Sequence, residues 1–308
     1  MQGNLDSTHR WGVILAGGNG VRLRPLTRLV SGDDDRPKQF CRLMGDETLL
    51  ARTRRRVAHL VSPEKTLLVF TEDHERYYAE EIAARPPALT IVQPCSRGTA
   101  PAILWSLLRV AELDWDAVVA MFPSDHHYSR ENRFLTGVER AFEAAESHAQ
   151  SVIVLGAKPA YAEVEYGWIE PVRAYSKYGS VRPVQNFWEK PPIELAERLF
   201  KQGCLWNTFI MVGRIGAFLE LIASAMPHLF RTFSMEARTG TRHIAEIYGQ
   251  IEPTDFSSQV LSRSTSRISV ATLGDAGWSD LGDPQRAKAA LSESYGNAAI
   301  WARLAASA

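Results

Sequence analysis

The sequence predicts an α/β fold with a mostly parallel central sheet flanked by helices, and three observations carry that prediction. Short apolar runs of strand-forming residues recur at 11–16, 66–70, 90–93, 117–122 and 151–156, and most of the intervals between them show helical periodicity. Strands alternating with helices in this way line up parallel. The first run ends directly in glycines, the sharp turn by which a strand can pass into a helix. Finally, 45% hydrophobic and 23% charged residues over 308 positions describe an ordinary globular chain with a full core and exclude disorder.

The elements follow in order. After the first strand and its glycines come the strands at 66–70 and 90–93. A helix follows over 98–113, where Ile103, Leu104, Leu107, Leu108 and Ala111 recur at i, i+3, i+4 and Pro101 sits in the tolerant first turn. The run 117–122 is again a strand, and Phe134, Val138, Ala141, Phe142 and Ala145 mark the next helix. From about 166 onward the strand candidates shorten, at 167–172, 183–188, 208–212 and 267–273. Ile215, Phe218, Leu219 and Ile222 open a helix that must end before Pro227, and a last helix falls around 284–291. No linker, repeat or low-complexity tract interrupts the chain, so 1–308 reads as a single domain. It divides into one lobe over about 10–150, a second over about 151–285 and a short tail over 286–308.

Charge and cysteine usage narrow the function. Lys+Arg and Asp+Glu are both 35, so no bulk attraction to nucleic acid or an anionic membrane is available. The apolar runs are far shorter than the roughly 20 residues of a membrane span, and residues 1–10 lack the pattern of an export leader. A cytoplasmic protein is expected. Cys41, Cys95 and Cys204 have neither disulfide-framework nor zinc spacing and read as reduced thiols, two or three of them buried.

Any phosphate site must then be local, and the loop Gly17-Gly18-Asn19-Gly20-Val21-Arg22-Leu23-Arg24 offers one. Glycines let backbone N–H groups approach phosphate oxygens. The Walker pattern fails for lack of Gly-Lys-Ser/Thr, and the dinucleotide fingerprint fails because Leu23 stands at its third glycine. Arg22, Arg24 and, slightly later, Lys38 add fixed cations, a set suited to a triphosphate. The glycines alone fit a tight strand-to-helix turn equally well. Beyond the strand at 117–122 stands Asp125, and beyond another strand-like run stands Asp280, where open α/β sheets bind ligands. Two carboxylates with phosphate oxygens and water would make the hard oxygen shell that Mg²⁺ prefers, although a lone Asp after a strand is more often a turn or cap residue.

The stretch Ala16-Gly17-Gly18-Asn19-Gly20-Val21-Arg22-Leu23-Arg24-Pro25-Leu26 with Pro37-Lys38-Gln39-Phe40 resembles the signature loop of the sugar-1-phosphate nucleotidyltransferases, most closely the mannose-1-phosphate guanylyltransferases. Four further strings stand in the family's order: Arg97-Gly98-Thr99-Ala100-Pro101-Ala102, Ser124-Asp125-His126, Trp188-Glu189-Lys190-Pro191 with Tyr166-Gly167 and Trp206-Asn207, and Trp278-Ser279-Asp280-Leu281-Gly282. The resemblance implies a Rossmann-like, GT-A-like nucleotidyltransferase fold without a C-terminal β-helix domain. It makes the first lobe nucleotide-binding and the second sugar-phosphate-binding. It implies nucleotide contacts from Ala16, Gly17, Gly18, Gly20, Arg97, Thr99 and Ala100, catalytic cations at Arg22, Lys38 and Lys190, and sugar-phosphate contacts from Gly167, Glu189, Lys190 and Asn207. Asp125 and Asp280 would hold Mg²⁺.

The implied reaction joins GTP and mannose 1-phosphate into GDP-mannose with release of pyrophosphate. The alternatives are another base or sugar, such as UTP or dTTP with glucose 1-phosphate, and a non-catalytic nucleotide-sugar-binding regulator. The implied partners are small-molecule substrates, with no nucleic acid and no membrane. A homodimer is compatible with the sequence but required by nothing in it. Four departures stand out: the acidic insert 31–35, Gly98 where the family has Asn, Thr208-Phe209 where it has Ser-Gly, and Ser257 and Ser262 at two acidic positions. His126 and His127 lack zinc spacing and read as structural or supporting residues.

Overall fold

A computed structural model describes residues 9–83, 89–173, 181–239 and 243–295. Its centre is a nine-stranded sheet in the order β3-β2-β1-β4-β9-β6-β10-β8-β7. The strands are β1 (Arg10–Leu15), β2 (Thr66–Thr71), β3 (Thr90–Gln93), β4 (Val118–Pro123), β6 (Val152–Ala157), β7 (Gly167–Pro171), β8 (Val181–Glu189), β9 (Leu205–Arg214) and β10 (Ile268–Thr272). A separate two-stranded ribbon pairs β5 (His127–Tyr128) with β11 (Trp278–Ser279). The helices are α1 (Arg24–Ser31), α2 (Leu49–Val57), α3 (Glu75–Ala83), α4 (Thr99–Leu113), α5 (Glu131–Ser147), α6 (Ile193–Lys201), α7 (Ile215–Ala225), α8 (Pro227–Thr239), α9 (Ile244–Gln250) and α10 (Pro284–Tyr295). None of the described helices is long and apolar enough to cross a membrane.

Parallel pairing is confined to part of the sheet. β3, β2, β1 and β4 run parallel, as do β6 and β10, whereas β9 lies antiparallel between β4 and β6, and β7 and β8 are antiparallel to their neighbours. The expectation of a mostly parallel sheet holds: seven of the nine strands point the same way, and only β8 and β9 are reversed. A strand buried on both faces is an apolar run read in either direction, so its composition carries no polarity.

Alternation along each strand divides the core. Trp11, Val13, Val119 and Met121 face the layer of α4, α7 and α8, while Ile14, Val118, Ala120 and Phe122 face α2 and α5. Phe218 and Leu107 seal one layer and Phe142 and Leu50 the other, all fully buried. Truncating such a Phe to Ala costs about 3–5 kcal/mol. The sheet thus holds the carboxyl ends of β1, β2, β3 and β4 rigidly along one edge, from which the functional loops emerge. α10 packs Ala287 and Ala290 against Leu23, Leu26 and Leu281, so this helix forms part of the wall behind the glycine loop, while residues 296–308 of the expected tail lie outside the described residues. Cys41 and Cys204 are buried and Cys95 half-buried, and all three are free thiols.

Candidate functional site

β1 ends at Leu15 and the chain turns at once through Gly17 and Gly18. At Gly17 the turn is tight: a Cβ would lie 2.7 Å from Thr71 Oγ1 and 2.8 Å from Gln93 Nε2, so these side chains would have to shift to admit one. Gln39 Nε2 donates to the carbonyls of Ala16 (2.9 Å) and Gly18 (2.8 Å), and Thr71 Oγ1 donates to that of Gly17 (3.1 Å). With those carbonyls occupied on the protein side, the loop's shape is fixed before any ligand arrives. Asn19 is anchored by His74, 3.0 Å away, and Gly20 takes the left-handed conformation at φ 57°. In the sequence Gln39 is only a neighbour of Lys38; its anchoring role becomes visible in three dimensions.

Lys38 is carried by the short helical turn Lys38–Phe40 and is almost buried. Its Nζ donates to the carbonyl of Asp280 (2.7 Å) and stands 3.2 Å from Asp125 Oδ2. One ammonium group therefore touches residues 155 positions apart, 125 and 280. The ribbon explains why they meet: in the antiparallel pair, Ser279 faces His127 and Trp278 faces Tyr128, which draws the flanking Asp280 and Asp125 to the same end.

Each carboxylate is individually held. Asp280 Oδ1 accepts from Tyr166 Oη (2.8 Å) and from the Gly282 N–H (2.9 Å). Arg286 Nη1 lies 3.6 Å from Asp280 and 3.6 Å from Glu163, its Nε donates to Asp283, and its guanidinium covers the Tyr166 ring at 4.6 Å. Beside Asp125, His126 Nε2 is 3.9 Å from Oδ1, while His126 Nδ1 accepts from Trp278 Nε1 (3.1 Å). Indole N–H can only donate, so Nδ1 is bare and the ring proton is on Nε2, facing the carboxylate. Burial pushes the His126 imidazole down to about 4, which keeps it neutral.

Among the described residues no three or more His, Cys, Asp or Glu gather as a ready metal cluster. Asp125 and Asp280 offer oxygen ligands only, a donor set that fits Mg²⁺ provided that phosphate oxygens and water complete the shell.

The opposite wall comes from β7, β8 and β9. Gly167 pairs with Glu189, and a Cβ at 167 would sit 2.9 Å from Glu189 Oε2 and 3.2 Å from Asn207 Cβ. A glycine here lets the two polar side chains converge. Burial pushes the Glu189 carboxyl up to about 7, reinforced by the negative charge of Asp255 and opposed by Lys190. Lys190, at φ 46°, lines the cleft with its backbone N–H tied to the Tyr166 carbonyl (3.2 Å). The cleft between the walls measures about 360 Å³. Arg22 reaches across its mouth to Glu165 (2.6 Å), both side chains about half exposed.

On the base side, Gly98 and Thr99 line the cleft, whereas Ala16 and Ala100 are fully buried behind it. Arg97 differs from its expected place: its Nε donates to the Tyr248 carbonyl (2.7 Å), so its guanidinium is engaged with α9. Gly98 explains one departure from the family pattern. It adopts φ 82°, ψ −174°, and the backbone of Thr254 stands where a side chain would go. Sequence reasoning missed Tyr166 as a carboxylate partner, Arg286 and Asp255. Tyr166 and Asp255 each lie in a stretch that resembles a family string, whereas Arg286 carried no local signal. Within the acidic insert, Asp34 and Asp35 are exposed, Asp33 accepts from Tyr77 (2.9 Å) and Asp34 pairs with Arg28 (2.6 Å).

The glycine turn, Arg22, Lys190 and the residues Asp125 and Asp280 thus border one strand-edge cleft, and the chain matches the nucleotidyl transferase family over residues 11–293. It belongs to that family. It is 30% identical over 289 residues to mannose-1-phosphate guanylyltransferase 2 of Escherichia coli O157:H7, covering 89% of this chain and 58% of that protein. It is 29% identical over 297 residues to mannose-1-phosphate guanylyltransferase ManC of Salmonella typhimurium, covering 90% and 58%. The chain thus spans less than two thirds of these relatives' length. Among solved structures, one named mannose-1-phosphate geranyltransferase, from Thermus thermophilus, superposes with a TM-score of 0.78 at 26% identity, covering 89% of this chain and 76% of the other. The architecture is the Rossmann-like nucleotidyltransferase fold.

Proposed function

We propose that this chain transfers a nucleotidyl group from a nucleoside triphosphate to a sugar 1-phosphate, most specifically GTP to mannose 1-phosphate, giving GDP-mannose and pyrophosphate. The observation that carries the proposal is the position of Lys38, whose ammonium bridges the Asp125 carboxylate and the Asp280 backbone carbonyl, two residues that line the same cleft as Gly17, Gly18, Glu189 and Asn207. The choice of guanine and mannose rests on the likeness to the named relatives.

In the proposed reaction an oxygen of the sugar phosphate forms a bond to the α-phosphorus while the bond from that phosphorus to the bridging oxygen breaks, and pyrophosphate leaves with its electron pair. The attacking oxygen is already anionic, so no side chain need act as nucleophile or base. The protein's task is to bring two anions together and to stabilise charge on the departing oxygen. The turn at Gly17, Gly18 and Gly20 receives the phosphates. Arg22 exchanges Glu165 for the pyrophosphate end of the nucleotide, and Lys38 stabilises the leaving group. Lys190 orients the sugar phosphate, while Gly167, Glu189 and Asn207 contact the sugar. Asp125 and Asp280 would hold Mg²⁺, which supplies charge neutralisation at the phosphates when bound. Tyr166 and Arg286 keep the Asp280 carboxylate aimed at that spot.

The test is pyrophosphate release from Mg²⁺ with four nucleoside triphosphates, each against mannose 1-phosphate and glucose 1-phosphate. GTP with mannose 1-phosphate should give the highest rate. No release from any combination overturns the catalytic reading in favour of a binding protein.

A further inference from the structure

The middle of β9 is irregular where it enters the cleft. Its pairing with β6 shifts register between Val154 and Gly156, so that three residues of β9, 208 to 210, stand opposite Leu155 alone. Side chains hold this bulge. Asn207 Oδ1 accepts from the Phe209 N–H (3.0 Å), Thr208 Oγ1 donates to the Leu155 carbonyl (2.7 Å), and Thr208 Oγ1 accepts from the Ile210 N–H (3.4 Å). At its centre Phe209 takes φ 60°, a conformation in which a bulky residue is an outlier and a glycine would be free. Strain of this kind persists only where surrounding bonds over-determine it, and it gathers at functional sites.

The strained side chain lines the cleft. Phe209 is half-buried, packs against the core layer on the α4 side and borders the same cavity as Asn207, Glu189 and Ser257. Those neighbours are polar: Asn207 Nδ2 points to Ser257 Oγ at 3.5 Å, and Glu189 carries a carboxyl group. Phe209 is thus an apolar panel in a polar wall. A ring hydroxyl turned toward it would lose its water without gaining a partner, whereas one turned toward Asn207 or Glu189 would be satisfied. Bulges recur beside active sites because they re-aim side chains in this manner.

We propose that Phe209 is a specificity-determining residue that selects among epimeric hexose 1-phosphates by rejecting the epimer whose hydroxyl faces its ring. The proposal rests on the reading of this wall as the sugar-phosphate site. Its test compares Phe209→Gly, Phe209→Ala and Phe209→Leu with the parent, using mannose 1-phosphate and glucose 1-phosphate as a C2-epimeric pair. Two quantities are read: the ratio of kcat/KM for the pair at saturating GTP, and the ratio of Kd from quenching of tryptophan fluorescence without nucleotide, for which Trp206 and Trp278 stand nearby. The Leu variant keeps an apolar side chain and serves if the smaller variants do not fold.

The expected result is a fall of the discrimination ratio by about tenfold in the Gly and Ala variants, a smaller fall in the Leu variant, and a KM for GTP within about twofold of the parent. Ratios unchanged within twofold in every folded variant, or binding of neither sugar phosphate by the parent, overturn the proposal. A parent that binds the pair selectively but releases no pyrophosphate, with selectivity lost in the variants, upholds Phe209 and overturns the catalytic reading alone.

Discussion

Gly98 gives the most direct test of how the base side of the cleft is built. At φ 82° and ψ −174° it occupies a region open essentially to glycine, and a Cβ there would stand 2.3 Å from the Thr254 carbonyl oxygen, 2.7 Å from its carbon and 2.9 Å from its nitrogen. All three are backbone atoms, so no rotamer change relieves the overlap. The Gly98→Ala chain must therefore leave its conformation, about 2 kcal/mol. It must also part the two segments, breaking Ala100 N–H to Thr254 carbonyl (3.0 Å) and Thr254 N–H to Arg97 carbonyl (2.9 Å). At about 1 kcal/mol net for each bond, the total reaches about 4 kcal/mol. Gly203 supplies the control: it too has positive φ, 72°, but nothing lies within 4 Å of its Cβ position. Gly203→Ala should cost only about 1–2 kcal/mol. Urea unfolding followed by tryptophan fluorescence measures both. Equal losses in the two variants, within about 0.5 kcal/mol, would refute the steric account, since additivity errors of distant sites are of that size.

Three other outcomes follow from the same geometry. Lys38→Met should lower the turnover of pyrophosphate release by about 10²–10³-fold while the circular dichroism spectrum stays that of the parent, and a loss under about fivefold would remove Lys38 from the charge-stabilising set. Arg286→Ala leaves Glu163, Asp280 and Asp283 without their shared, nearly buried cation, and should destabilise the protein by about 3 kcal/mol in urea, with a drop below about 1 kcal/mol counting against the network. Glu189, raised from 4.5 to about 7 in the folded chain, binds more protons folded than unfolded between those values, so its contribution to stability falls as pH rises through that window. Glu189→Gln should therefore gain stability relative to the parent from pH 4.5 to pH 7, and parallel pH profiles of the two chains would exclude the shift.

Much of the element order was legible because its signals are local. The strand 90–93, the helix opened by Thr99 and closed before Asp114, and the helix halted before Pro227 follow from hydrophobic period, capping and proline sterics, which act over a few residues. The motif strings bearing Gly17, Lys38, Asp125, Glu189 and Asp280 were likewise readable, since each is a contiguous run. The direction of β9 was not, because its apolar residues bury both faces and suit either polarity.

What the sequence alone determined is the element order, the α/β class and which short strings hold the chemical groups. The tertiary structure decided which of those groups meet. Only the β5–β11 ribbon brings Asp125 beside Asp280 around Lys38, only α10 sets Arg286 on Tyr166, and only the approach of Thr254 turns Gly98 from a substitution into a necessity. The physical reason is range: dihedral preference and periodicity act between near neighbours, whereas steric exclusion and charge pairing act between whatever atoms the packed chain makes adjacent.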